Sequence, residues 1–450
     1  MNIVLLIACV LMGLVLTFLS FPDGAISLLI TLAISLPAIL FLRTLTEEKY
    51  FITNIFFLAL LLRILLGLII YLFGLRGTFG PDSYHYEYIG ARLAQIWADV
   101  YVPNDYYAYR ARNPGSSGWG MIYLVASIFT VFGRNFFIAQ TFCGVVGALT
   151  APLTYLCSNE IFKNKNVSKF TAVAVAAFPS FVIWSSQLMK DGLITFLLVL
   201  SMLMVLQLQK KFDYFRLIIL ILSLFGIISL RFYIFYMVAL AVAGSFLVGV
   251  STSVQTITRN VIIIVFLGLG LTYLGVMHNA KEGIDKYASL ERIQTTRRDL
   301  AESASTGFGE DIDVSTPAGA IAAVPIGLIY LFFAPFPWDA VKLSQFLVIP
   351  ETLVWWSLIP LMIIGLKYSI LHRLRETMPV LLFTLMLILA YSIFQGNVGM
   401  LYRQRTQFQV FLFMFIAVGW ELYKERKENK KLILRAQKLR NEKRLTLYGR

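Results

Sequence analysis

Residues 80–97, GPDSYHYEYIGARLAQIW, put Asp82 directly after a long apolar run, with Tyr84 and Glu87 in the same segment. A carboxylate fixed where a hydrophobic layer meets water can take a proton from a hydroxyl group. A second acid, Asp191, follows Lys190 in QLMKDG, a polar turn between two apolar runs. Arg231 in SLRFYIFY, and Arg403 and Arg405 in NVGMLYRQRTQFQ, also sit at the ends of apolar runs. A cation there is costly in lipid unless it meets a buried partner or an anionic ligand, which makes these arginines and Lys190 candidates for holding a phosphate. If 396–405 is an irregular turn, Arg403 and Arg405 can aim at one phosphate. Each residue also has a plainer reading. Asp82 caps a helix, Arg231 snorkels to the interface, and Lys190 and Asp191 pair with each other. Arg63 lies too deep in its run for such a clamp.

The elements that must position these groups follow from composition. The chain has 450 residues, 58% hydrophobic and 14% charged, with a mean hydropathy of +0.75, which excludes an ordinary soluble protein. Apolar runs at 3–20, 24–42, 50–73, 136–157, 170–188, 191–208, 217–230, 233–250, 260–277, 350–366, 378–395 and 406–420 predict an all-α polytopic membrane protein with about twelve full transmembrane helices. Two shorter runs, 119–133 and 318–334, read as re-entrant or interfacial segments. The first run lacks a basic lead and a cleavage site and reads as a retained span. Lys and Arg in short loops set orientation. Lys49, Lys163, Lys165, Lys169, Lys210, Lys211, Arg259 and Arg373 share one side, taken as cytoplasmic. The outer face then receives the loops 74–135 and 278–349 and the turn at 396–405. From Tyr86 to Trp97 apolar positions recur at helical spacing, as in a helix lying in the interface.

The net charge of +14 owes half its value to residues 421–450, which hold eleven basic and four acidic residues. They divide the chain into a transmembrane domain, 1–420, and a basic cytoplasmic tail. The tail suits anionic membrane lipid and makes nucleic acid an improbable partner. Cys9, Cys143 and Cys157 all fall in or at the ends of spans and predict no disulfide framework. Without a P-loop, a repeat or a histidine cluster, nothing supports a kinase, a dehydrogenase or an ATP-driven pump. GEDIDVSTP, residues 309–317, offers Glu310, Asp311 and Asp313 as a divalent-cation site or a solvated loop, without the pattern of a calcium loop.

The combination of GPDSYHYEYIGARLA, RNPGSSGWGMIYLVASIFTVFG at 112–133 and AAFPSFVIWSSQLMKDGLITFLLVLSML at 176–203 resembles the GT-C membrane glycosyltransferases. The branch it is most similar to holds the protein mannosyltransferases and the lipid A aminoarabinose transferases. The resemblance covers residues 50–210 best, and two extra spans precede the acidic loop. It implies transfer of a sugar from a polyprenyl-phosphate or diphosphate carrier to a lipid or glycan acceptor at the outer face, inverting and without a cofactor. Asp82 would then be the base, with Asp191 as second acid and Arg231, Arg403, Arg405 and Lys190 as the phosphate clamp. Glu87 and Tyr84 become candidates for substrate contact. Trp338, in the proline-broken segment LIYLFFAPFPWDAVKLSQF, would wall the carrier groove with Phe336, or simply belong to an interfacial aromatic belt. A polysaccharide polymerase or O-antigen ligase, or a flippase of lipid-linked sugars, is the alternative. A transporter should carry midplane ionisable groups or an internal repeat. Apart from Arg63 the unusual charges here collect at one face.

Overall fold

The computed structural model describes residues 2–19, 21–113, 118–248, 260, 262–267, 269, 289–302, 306–339 and 343–448. The helices are α1 (Ile3–Leu19), α2 (Asp23–Thr44), α3 (Lys49–Leu72), α4 (Arg76–Phe79), α5 (Asp82–Trp97), α6 (Tyr106–Arg112), α7 (Trp119–Phe132), α8 (Phe136–Phe162), α9 (Lys165–Ala177) and α10 (Pro179–Ser185). They continue as α11 (Lys190–Lys210), α12 (Tyr214–Leu230), α13 (Phe232–Val248), α14 (Leu290–Glu302), α15 (Pro317–Phe333), α16 (Leu343–Phe346), α17 (Ile349–His372), α18 (Leu374–Phe394) and α19 (Val398–Tyr448). Among the described residues the only β-pairing is an isolated bridge between Gly307 and Asn397.

Seven helices, α2, α3, α8, α11, α17, α18 and α19, are long and apolar enough to cross a membrane, and α9 with α10, bent by 53°, makes up to eight. The remaining apolar runs of the sequence form shorter helices or lie outside the described residues. The runs at 3–20, 217–230 and 233–250 form α1, α12 and α13, each 17 residues. At about 1.5 Å per residue such a helix measures about 25 Å, at the lower limit for a span, yet α12 leads from the Lys210 side to Arg231 and α13 returns to where Gln209 Nε2 donates to Ser245 O. The run at 260–277 lies largely outside the described residues. The chain is an integral membrane protein by these helices.

The core axis is α19, buried almost without interruption from Leu401 to Val418. Its closest partner is α17. A Cβ on Gly365 would collide with the Phe415 carbonyl, and one on Gly419 with the Leu361 carbonyl, so glycine allows the two backbones to touch. Burial stops at Trp420, where the tail was expected to begin, but α19 runs on unbroken to Tyr448. The first part of the tail therefore extends the span as an exposed helix instead of folding back along a surface.

Both short segments begin and end at one end of the bundle. The first turn of α7 packs on Ser229, next to Arg231, while Arg134, just past its last turn, pairs with Glu87 at 2.9 Å. Ahead of α15, Arg297 donates to both Ile312 O and Gln395 O, and behind it Ala334 O accepts from Arg405. Neither segment crosses. Consequently the termini of α5, α11, α12, α13 and α19 gather at this same end, and Glu48, Lys165, Lys169, Glu160 and Lys210 gather at the other.

Candidate functional site

Pro81, not Asp82, occupies the N-cap of α5, and no side chain caps that helix. The Asp82 carboxylate instead crosses to α19, where its Oδ2 accepts from Arg403 Nη1 at 2.7 Å. Arg403 Nε lies 3.4 Å from Asp191 Oδ2 at the start of α11. Arg231, the residue between α12 and α13, donates through Nη2 to Asp191 Oδ1 at 3.1 Å. Acid and base therefore alternate as Asp82, Arg403, Asp191, Arg231, drawn from separate helix ends.

Burial differs sharply along this chain of charges. The Asp191 side chain is 0% exposed, Arg231 4%, Arg403 14% and Asp82 44%. Charges this deep are held only by partners, and the partnering is incomplete. Asp191 Oδ2, Arg403 Nε and Arg231 Nη1 are buried with no aligned hydrogen bond, so hydrogen-bonding capacity for a ligand remains inside the cluster. Asp82 Oδ1 makes no hydrogen bond among the described residues and sits on the most accessible of the four side chains. Lys190, half-buried beside Gly118, forms no ion pair with Asp191, so their expected mutual pair is absent.

The structure separates Arg403 from Arg405. The stretch read as a turn is the first part of α19, where successive side chains rotate by about 100° and residues two apart face away from each other. Arg405 donates to Ala334 O and lies 5.7 Å from the Tyr402 ring, whose hydroxyl donates to Glu351 at 2.6 Å. Glu87 and Tyr84 also stay outside the cluster. Glu87 accepts from Arg76 at 2.5 Å and from Arg134 at 2.9 Å, and Arg76 lies between the Tyr84 and Phe136 rings at 3.9 and 3.7 Å. Burial lowers the Arg76 pKa, and Glu87 opposes that shift. This brace fixes α5 to α4 and α8. Trp338 is 74% exposed and stacks on Phe336 at 5.1 Å, away from the cluster. Glu310, Asp311 and Asp313 do not gather: among the described residues no group of three or more His, Cys, Asp or Glu could hold a metal ion.

Several members had no prominent sequence signal. Gln407 Nε2 reaches Asp191 Oδ1 at 3.5 Å, and its place four residues after Arg403 marks the same helix face. Tyr86, four after Asp82, is buried against the cluster, and burial followed by the charges of Asp82 and Asp191 pushes its phenol above its ordinary value. His85 is pulled down by burial and then by Arg110. Arg63 also finds its purpose. It donates to Ala59 O, Val175 O, Ala176 O and Ser185 Oγ, satisfying carbonyls freed where Pro179 breaks α9 from α10. Ser185 packs directly on Gly192, so Arg63 braces the turn that carries Asp191.

A groove of about 690 Å³, open to its surroundings, runs past this end, lined by Thr78, Phe79, Trp184, Pro335, Val348 and Tyr402 among others. Trp184 also lines a narrow cleft with little free space that reaches Asp191 and Arg63. The mostly apolar groove therefore lies beside the ion cluster.

No protein-family model matches the chain, and no curated protein is similar to it in sequence. Among solved structures it is similar to ArnT from Cupriavidus metallidurans bound to undecaprenyl phosphate, with a TM-score of 0.48 and 14% identity over 80% of this chain and 59% of that one. The apo state of that protein gives a TM-score of 0.45 at 13% identity, covering 78% and 57%. The Archaeoglobus fulgidus oligosaccharyltransferase in its apo form gives 0.47 at 11% identity, covering 86% of this chain and 52% of that one. The chain thus spans between half and three-fifths of the length of these proteins.

Proposed function

We propose that this protein is a GT-C-type glycosyltransferase that moves a sugar from a polyprenyl-phosphate carrier to an acceptor hydroxyl at the outer face of a bacterial plasma membrane. The observation that carries the reading is the alternation Asp82, Arg403, Asp191, Arg231 at one end of the bundle, with unsatisfied buried donors inside it and an apolar groove beside it. The acceptor oxygen attacks the anomeric carbon as the bond from that carbon to the phosphate oxygen breaks. Its proton passes to Asp82, and the configuration inverts. The carrier leaves as a phosphate monoester with one more negative charge, which Arg403, Arg231 and Lys190 are placed to stabilise. Asp191 holds the two arginines in position. The polyprenyl chain lies in the groove, an apolar surface that a charged headgroup alone would not require.

Lipid extracted from protein purified in mild detergent and identified by mass spectrometry tests this reading. A polyprenyl phosphate, bare or sugar-linked, should be enriched with the wild type and depleted with Arg403→Ala. Its absence from the wild type would contradict the proposal.

A further inference from the structure

The donor groove takes its lining from α4, α10, α16, α19 and the residues Thr306, Pro335 and Val348, with nothing from α5 or α6. A second substrate therefore has the other side of Asp82 available to it. On that side α5 and α6 pack as an antiparallel pair whose register can be read contact by contact. Arg92 meets Asp105 at 2.6 Å, the Tyr88 and Tyr107 rings lie 5.0 Å apart, and the His85 and Tyr106 rings 6.2 Å apart. Arg110 comes one turn after Tyr106, which carries it to the first turn of α5, where Asp82 is.

Arg110 makes neither an ion pair nor a hydrogen bond among the described residues, and its Nε is buried. The acids that could neutralise it are engaged elsewhere. Asp82 holds Arg403, Glu87 holds Arg76 and Arg134, and Asp105 holds Arg92. Asp105 is committed doubly, because it also caps α6 through Ala108 N at 2.7 Å. On the same short helix Tyr106, one turn before Arg110, is 60% exposed and Tyr109 62%. A guanidinium fork next to exposed tyrosine faces suits a ligand with a carboxylate or phosphate and an apolar ring face, since the fork pairs with the anion and sugar C–H groups lie on the aromatic ring.

Taking the donor reading as given, we propose that the α5–α6 face is the acceptor subsite and that the acceptor is a glycan bearing an acidic group, held by Arg110 and His85 with a free hydroxyl directed at Asp82. A neutral acceptor would leave the Arg110 charge without a function there.

The test uses the full chain in nanodiscs and two probes, a hyaluronan tetrasaccharide containing glucuronate and neutral chitotetraose. Calorimetry should show the acidic probe binding at least about tenfold more tightly than the neutral one, as expected for one charge-assisted fork. Arg110→Gln, at unchanged melting temperature, should erase the preference, and Arg110→Lys should retain part of it. Equal binding of the two probes by the wild type, or an undiminished preference in Arg110→Gln, overturns the proposal. Arg403→Ala should lower affinity for undecaprenyl phosphate while leaving the oligosaccharide preference intact, so the donor reading can fail without the acceptor reading and the reverse.

Discussion

The two ends of this bundle use the same kinds of charge in opposite ways. At the Lys169 end, Glu48 pairs with Lys165 at 3.2 Å and with Lys169 at 2.8 Å, and Glu160 pairs with Lys163 at 3.2 Å and with Lys210. The lysines there are 38–55% exposed. Such pairs are screened by water and contribute little. At the Asp82 end the cations are arginines, the geometry is shared among several helices, and three of the four side chains are nearly enclosed. Enclosure makes each charge expensive to leave alone. One end is a solvated rim that fits the basic side of a membrane protein, whereas the other concentrates charge that stability alone does not call for.

The largest effect should come from Asp191, because its loss strands the buried Arg231 and leaves Arg403 with Asp82 alone. Asp191→Ala should lower stability by about 3–5 kcal/mol, the usual cost of an uncompensated buried charge, read as a drop in melting temperature. A melting temperature within a degree or two of wild type would mean that the cluster is already open to water.

Phosphate binding sharpens the contrast within the Asp82 end itself. Arg403→Ala should weaken undecaprenyl phosphate binding by about 10- to 150-fold, corresponding to about 1.5–3 kcal/mol for one charged hydrogen bond. Arg405→Ala should change that affinity far less, because Arg405 faces away from the cluster and donates to Ala334 O. Equal losses in both variants would restore a shared clamp and contradict the helical start of α19.

At the other end the effects should be small and dependent on pH. Lys169 and then Lys165 hold the Glu48 carboxyl below its usual value. A depressed carboxylate contributes stability above its unfolded pKa and loses it as pH falls through the lower, folded value. Glu48→Gln should therefore cost no more than about 1 kcal/mol at neutral pH, and the difference from wild type should vanish under acid. Denaturant midpoints measured at several pH values would check it, and a constant difference down to low pH would show that Glu48 stabilises by something other than charge.

Much of this contrast is written in the sequence because ionisable residues at the ends of apolar runs are conspicuous. Asp82, Asp191, Arg231 and Arg403 stand out for that reason, and the structure brings all four together. Position along a run does not reveal helix face, however. Reading 396–405 as a turn removed the 100° rotation that sends Arg405 away from Arg403, and nothing local to Glu87 shows that Arg76 and Arg134 will converge on it. The carbonyl partners of Arg63 appear only when Pro179 breaks a helix more than a hundred residues away. The runs at 3–20, 217–230 and 233–250 coincide closely with α1, α12 and α13, because an apolar stretch shows where a helix lies even where its 17 residues only just suffice for a span.

The most direct test of the central claim is sugar transfer by Asp82→Asn. Purified, folded protein is given an undecaprenyl-phosphate-linked sugar, with membranes of the host supplying the acceptor, and release of undecaprenyl phosphate is followed. Asparagine keeps the size and the hydrogen-bond acceptor facing Arg403 but cannot take a proton. If Asp82 is the base, turnover should fall by about 10²–10⁴-fold while donor affinity stays near wild type, with Glu87→Gln as the neighbouring control. An Asp82→Asn protein that turns over like wild type would reduce Asp82 to a partner of Arg403 and contradict the mechanism.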